Sequence, residues 1–567
     1  MSSHSISLRQ LIEDALAASV QLVIDLKSHL NDTTAIARLP PELLSEIFLH
    51  VVEDRYGEVT TSYSPCSSRF YKWIVVTHVC RRWRAIALDT AKLWSYVILT
   101  RSSVVREVLS RSRKAPLSIC ATISSSADER VVLLGEVMEE PPRLKSLHLY
   151  GPVDVVHELC NELVGSSGVN LERMVLFDTE PPSEIDDEPA PTLTSLEVQS
   201  PRLRSLEVYR LPFAWKDPVL SSGVTRLIVV GCLDSQQMLG SFDQLLATLR
   251  MLSSLRELEI EDAIPRLPDF DDSQVLPLPR SQVVLPRLRY LSLTGYCPDC
   301  VRLKDRLTVP STARLVLRGR GAIGGQGLLR AAGDHIALSS PLLAMHLARV
   351  YGTQLLVQGW RSLADADHAA EPSLVLQMDI LHFPPPAAHH VYSAKVFSAV
   401  RSLQIFTADR DWRWRSVLPL FPDLEVLSVR RNPQRAFLRV LSTTHAQKRN
   451  HAPLTILPQL RVLKITFARM RHPRHTSGIP TALDELLDWL LFRCNHNAPI
   501  DELHLRSCFN FTQEDVLTLE EVVPHVVWDG AVQIEYEEDG EEFSMPYDSA
   551  YDYGHDEYYG NVAWAMP

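Results

Sequence analysis

Few residues of this chain have the types and spacing that chemistry needs. Cys297 and Cys300 form a lone CxxC, a spacing that can ligate zinc or run thiol–disulfide exchange. Zinc asks for four ligands, and no second CxxC or spaced Cys–His set supplies the other two. Cys494 and His496 are too generic to serve. Gly319, Gly321 and Gly324 match GxGxxG after an apolar run, a pattern that in a nucleotide-binding unit lets the backbone approach a pyrophosphate. Two more glycines follow at Gly325 and Gly327, no clear helix opens on the last glycine of the motif, and no acidic residue ends a second strand at the required distance. The segment therefore reads as a flexible loop. HExxH, GxSxG and the phosphate-cradling P-loop pattern are absent, and nothing specifies an acid–base pair. No catalytic residue, metal or cofactor is expected.

Charge offers a different chemistry. Between Arg401 and Arg474 lie fifteen Lys or Arg and four Asp or Glu, including DRDWRWR and RMRHPRH. Such a stretch suits an acidic partner, and Arg is well matched to planar anions. Candidates are a phosphorylated or acidic signal on a protein target, RNA, or the chain's own tail, and a solvated face with no partner fits the same residues. From Gln533 to Pro567 there are ten acidic residues and no Lys or Arg, and without aliphatic periodicity this tail reads as disordered. Most of the net charge of -12 sits there, so the body is nearly neutral and overall charge gives no support to general nucleic-acid binding.

The elements that must position any partner begin between Ile36 and Leu99. Pro40 and Pro41 suit the entry of a helix, and Leu43, Leu44, Ile47, Phe48 and Val51 then recur at three- and four-residue spacing. A second helical run carries Val75, Val76, Val79, Cys80 and Trp83, with Arg81, Arg82 and Arg84 on its other side. Two short amphipathic helices cannot bury both apolar faces within so few residues, so the rest of the chain or a partner must cover part of them. This stretch resembles the F-box family: the Leu39-Pro40 opening, the ELL..IF helix, the VCRRWR helix and the Leu93-Trp94 pair follow that family's order. The resemblance implies binding to the Skp-type adaptor of cullin-RING ubiquitin ligases. It maps Leu39, Pro40, Leu43, Leu44, Ile47, Phe48, Val79, Cys80 and Trp83 onto the adaptor-facing or core positions of the box. The chain departs from the family in a polar insert, Arg55 to Phe70, that lengthens the link between the helices.

Ahead of the box, from Ser7 to Leu30, Leu8, Leu11, Ile12, Ala15, Leu16, Val20, Val23 and Leu26 recur near helical spacing. The run is shorter than four heptads, so it is expected to pack on its own box, with pairing to another chain as the alternative. Hydrophobic residues at 46% and charged residues at 22% mark an ordinary folded protein of more than one compact core, and 37 prolines against 22 glycines mark rigid connections. Nine scattered cysteines do not form a secreted disulfide framework, and no charged-then-apolar signal opens the chain, so the cytoplasm or nucleus is expected. Runs such as ALAASVQLVIDL are broken by Gln21 and Asp25 short of a bilayer's thickness, and no membrane span is expected.

Beyond Trp94 an apolar residue, two others, an apolar residue, one other and an apolar residue recur about twelve times. The copies start at Leu144, Leu171, Leu193, Leu203, Val224, Leu255, Leu288, Thr312, Val400, Leu424, Leu460 and Ile500. Each unit has room for one strand and a return segment, and stacking such units builds a parallel sheet. The pattern resembles the leucine-rich repeat family, with an irregular period and without the Asn or Cys that usually follows the strand. Leu193 and Leu203 are too close to be parallel neighbours, and Leu203 is read as the true rung. Between Thr312 and Val400 the pattern lapses, where TQLLVQGW and SLVLQMDIL are candidate degenerate rungs.

Strand alternation puts Leu206 and Val208 inward and Ser205, Glu207 and Tyr209 on an open face. By the same rule that face carries Tyr150, Phe177, Tyr209 and Tyr290 early, Glu257, Glu259 and Glu261 midway, and Arg314, Arg318, Arg430, Lys464 and Arg506 late. Tyr209, Tyr290, Arg314, Arg318, Arg430, Lys464 and Arg506 are the candidate target-binding residues, since aromatics and arginines most often anchor interfaces. The expected fold class is α/β: an amphipathic helix over 1–35, a helical F-box over 36–99, an irregular leucine-rich-repeat-like solenoid with a parallel sheet over 100–530, and a tail over 531–567. The expected role is substrate receptor, with the Skp-type adaptor, and through it a cullin, on one side and an unknown protein target on the other. An interaction scaffold acting outside ubiquitination fits the same residues.

Overall fold

The computed structural model describes residues 8–61, 68–138, 141–164, 170–180, 202–211, 213, 215, 220, 222–231, 240–266, 282–321, 324–349, 354–368, 370–379, 396–406, 417–430, 437, 457–471 and 480–533. The Leu193 copy and the acidic tail beyond Gln533 lie outside them. The chain is mixed α/β and divides into two compact units at Val224/Thr225, inside the span read as one repeat domain.

The first unit opens with helix α1 (Leu8–Asp32), followed by α2 (Pro41–Thr61) and α3 (Arg81–Asp89). Helix α2 runs well past Val51 into the stretch read as a polar insert. The second helical run is two elements, a 3-10 segment over Ser68–His78 and then α3. The break falls at Cys80, whose extended backbone (φ -154°) starts α3 and whose Sγ accepts the amide of Trp83 at 3.4 Å. Leu93 and Trp94 are buried at the end of the box, with Trp94 Nε1 donating to the Ala87 carbonyl and its ring against Trp73.

Five parallel strands follow in sequence order: β1 (Tyr96–Ile98), β2 (Leu117–Thr122), β3 (Leu144–Gly151), β4 (Arg173–Asp178) and β5 (Ser205–Tyr209). Helices α4 (Ser102–Ser112), α5 (Glu129–Met138) and α6 (Val153–Val164) make the first three crossovers. Register aligns Leu147 with Met174 and Met174 with Leu206, so the repeated apolar positions stack into one buried row. The strand at Leu203 pairs with β4, as the sequence spacing requires.

The second unit contains β6 (Arg226–Val230), β7 (Glu257–Glu261), β8 (Val283–Val284), β9 (Tyr290–Tyr296), β10 (Leu307–Thr308) and β11 (Arg314–Arg320). They are followed by β12 (Ala344–Arg349), β13 (Gln354–Trp360), β14 (Leu374–Asp379), β15 (Ser402–Phe406), β16 (Val426–Arg430), β17 (Val462–Thr466), β18 (Glu502–Arg506) and β19 (His525–Trp528). Its described helices are α7 (Phe242–Met251), α8 (Cys297–Arg306), α9 (Gly325–Ala337), α10 (Leu363–Asp367), α11 (Ala482–Asn495) and α12 (Gln513–Glu520). β8 and β10 pair only with each other among the described strands. The rest form a ladder that is parallel and sequential except at one place: from β11 the order runs β14, β13, β12, β15.

There β13 is antiparallel to both neighbours, which corrects the expectation of a wholly parallel sheet. The reason is chain length, because the link from Arg349 to Gln354 is far shorter than the dozen or so residues a parallel crossover needs. TQLLVQGW and SLVLQMDIL are indeed strands, and β12, AMHLAR, is a further one between Thr312 and Val400.

Candidate functional site

The box presents two adjacent lines of side chains along α2, and they have opposite fates. Leu44, Phe48, Val52 and Tyr56 are buried, while Leu43 (52%), Ile47 (43%) and Val51 (39%) are exposed. Residues four apart stack along a helix, so each line is continuous. Val75 (63%) and Val79 (55%), from the 3-10 segment and the turn before α3, add to the exposed apolar surface of the same box. Of the nine residues mapped onto the box, Leu43, Ile47, Val79 and Pro40 face outward. Leu44 and Phe48 are core, Trp83 packs its ring 5.0 Å from Phe48, and Cys80 caps α3. Leu39 is half-buried, and its carbonyl, like that of Ala37, accepts from the Arg82 guanidinium, which ties α3 to the entry of α2. Val51 and Val75 are outward positions that the motif does not mark. Their spacing from Leu43, Ile47 and Val79 is the signal that finds them.

The buried line ends on the unit's own sheet. Tyr56, from the insert, packs its ring 5.1 Å from Tyr96 and 5.7 Å from His148, and Tyr96 Oη donates to Glu53 Oε1 at 2.7 Å. Tyr150 Oη donates to the Thr60 carbonyl at 2.7 Å, and Tyr71 Oη donates to the carbonyl of Ile98 and accepts its amide. The alternate face of the first strands is therefore covered by α2 rather than open. Tyr150 and Glu207 are buried, Glu207 is ion-paired to Arg173 at 2.8 Å, and Tyr209 is half-buried and donates to Glu207 Oε2. Burial first, and the nearby Arg173 second, push the His148 imidazole down to about 3, and neither of its ring nitrogens has a hydrogen-bond partner among the described residues.

In the second unit the alternate face changes character along the ladder. Around β11 it is closed: Val316, Leu356 and Val375 form a buried apolar cluster with Tyr290 and Ala348 packed against it. Arg314 lies over the Tyr290 ring and pairs with Glu371, and Arg318 is half-buried near Glu261. Further on it is open. Arg430, Lys464 and Arg506 are exposed, and pairing aligns Arg430 with Thr466 and Thr466 with Arg506, while Lys464 sits beside His504. The Arg430 guanidinium lies 5.3 Å over Phe406. Of the seven candidate target-binding residues, these three are exposed; Tyr209, Tyr290, Arg314 and Arg318 are partly buried and engaged within their own unit.

The two chemical motifs of the sequence explain each other. A helix does open on the last glycine, contrary to expectation: Gly324, with φ +96°, starts α9. The glycines admit α8, which carries the CxxC. A Cβ on Gly319 would lie 2.2 Å from Cys297 Sγ, one on Gly324 3.0 Å from Cys297 Cβ, and one on Gly327 3.0 Å from a Val301 methyl. Both thiols are fully buried, and burial pushes Cys297 up to about 11 and Cys300 further still. Burial that raises a thiol's pKa lowers its thiolate fraction at neutral pH, and with it its nucleophilicity. Among the described residues no group of His, Cys, Asp and Glu is placed to hold a metal, and no helix is long and apolar enough to cross a membrane.

No curated protein matches the chain. A family model described as F-box-like does match, over residues 36–100, the stretch that carries both the exposed apolar line and its buried counterpart. F-box domains generally bind Skp-type adaptors, and this chain carries an F-box-like domain at its N-terminal end.

Proposed function

We propose that the chain is the substrate receptor of an SCF-type cullin-RING ubiquitin ligase. The box docks the Skp-type adaptor, and through it a cullin, with Leu43, Ile47, Val51, Val75 and Val79. The strands beyond, read as a divergent leucine-rich-repeat-like solenoid, hold a protein target, for which Arg430, Lys464 and Arg506 are the most accessible anchors. No residue of this chain need be a nucleophile, because holding the target near the charged ubiquitin carrier raises the effective concentration of its lysines. The reading places the protein in the cytoplasm or nucleus. The observation that carries it is the apolar line at Leu43, Ile47 and Val51, left uncovered beside a box core that the chain fills itself.

The test is co-purification from cells. Leu43→Asp with Ile47→Asp should cut adaptor and cullin recovery by about 100-fold, two central apolar contacts at about 1.5 kcal/mol each. Both side chains point to solvent, so the variant should melt with the wild type. Adaptor recovery that is unchanged in the folded variant would remove the ligase reading.

A further inference from the structure

Helix α1 does not pack on the box as its apolar periodicity led us to expect. Every large apolar residue on one side of it, from Leu11 to Leu30, is 49–69% exposed. Among the described side chains of the helix, the partly buried ones are Ile24, Asp25 and Ser28, on the opposite side, where Asp25 meets Arg81 of α3 at 3.3 Å. At about 100° per residue the exposed apolar arc and this contact side are roughly half a turn apart. The stripe therefore points away from the rest of its own box.

We propose that this stripe is a homodimer interface, with α1 of a second copy lying antiparallel against it. Ile12, Leu16, Ser19, Val23, Leu26 and Leu30 advance by alternating four- and three-residue steps, the seam of a two-stranded coil. Ser19 fits there because its hydroxyl donates to the Ala15 carbonyl of its own helix at 2.9 Å. Antiparallel pairing sets Ile12 against Leu30, Leu16 against Leu26 and Ser19 against Val23 of the other copy.

Charge selects this direction. Glu13 and Lys27 flank the seam on the same edge, and antiparallel packing brings each beside its opposite on the second copy. Parallel packing instead faces Lys27 with Leu22 and leaves Glu13 no cation across the seam. The box follows directly at the C-terminal end of α1, so antiparallel helices, each about 37 Å long, put the two boxes at opposite ends, whereas parallel ones would crowd them.

The full chain should sediment at twice 64.0 kDa at about 20 μM, and Leu16→Asp with Val23→Asp should return it to 64.0 kDa with unchanged circular dichroism. Glu13→Lys and Lys27→Glu should each weaken dimerisation about fivefold, two symmetric like-charge contacts replacing two attractive ones, and an equimolar mixture of the two should restore it. A wild-type chain that stays monomeric at every concentration overturns the proposal. So does a dimer in which the mixed charge variants show no rescue, because then the helices are not antiparallel. Adaptor binding that is lost on substituting Leu16 and Val23 in a chain that never dimerises would assign the stripe to the adaptor and overturn it equally.

Discussion

The alternate face of the ladder is covered at one end of the chain and open at the other. On β1 to β3 it carries Tyr96, His148 and Tyr150, and the second half of α2 lies across it through Tyr56 and Thr60. On β16 to β18 the equivalent positions carry Arg430, Lys464 and Arg506, all exposed. The difference lies in residue type. Early positions are aromatic and gain by being covered, whereas the late ones hold guanidinium and ammonium groups whose desolvation would cost more than burial returns. The same strand geometry thus anchors the box in the first unit and leaves a charged surface in the second.

The heaviest blow to that contrast is Tyr56→Ala. It removes the ring that bridges box and sheet and should cost the first unit about 3–5 kcal/mol, measured by urea unfolding. A loss under 1 kcal/mol would mean that the box rides loosely on the sheet.

Next in size is an effect of pH. His148 is held neutral, its folded value of about 3 lying below the usual 6.5. A depressed histidine leaves stability intact above its unfolded value and loses it as the unfolded chain takes up the proton, so melting temperature should fall from pH 6.5 downward toward 4. His148→Leu should flatten this fall, and an unchanged slope would assign it to other groups.

Arg430→Glu with Lys464→Glu should weaken capture of a bound target about tenfold while moving stability by less than about 0.5 kcal/mol, as fits two exposed positions. Equal capture by both proteins would make the late face a solvated surface only. The smallest effect is chemical: Cys297 and Cys300 should resist a thiol reagent in the folded protein at pH 7 and react on unfolding. Fast labelling in the native state would contradict their burial.

Much of this was legible in the residues. In each of the eleven described copies of the apolar repeat the last two apolar residues fall on a strand, because a pleated strand alternates inward and outward side chains and the inward row is buried. Alternation could not say what lies against the outward row, so Tyr150 and Glu207, read as open, are buried. Tyr150 is covered by the insert that departs from the F-box pattern, through Thr60, and Glu207 is closed in by Arg173 and Tyr209 of the strands themselves. The strand β12 was hidden because AMHLAR lacks the repeat, whereas β13 was a candidate rung whose reversed direction follows from the short link after Arg349, which forbids a parallel crossover. The helix after Gly324 was obscured by its own glycines, which serve the close approach of α8 and, at Gly321 and Gly324, a positive φ. On α1 the periodicity was readable, but the side that meets the box is Ile24, Asp25 and Ser28, opposite the apolar stripe.

The central claim is that α2 uses one line of side chains for its own sheet and keeps the neighbouring line for another protein. Amide hydrogen exchange of the full chain with and without the Skp-type adaptor tests it directly. Protection should appear over residues 41–51 and 73–80 while β2 and β3 stay unchanged. Protection spread equally over β2 and β3, or none over 41–51, would contradict the account.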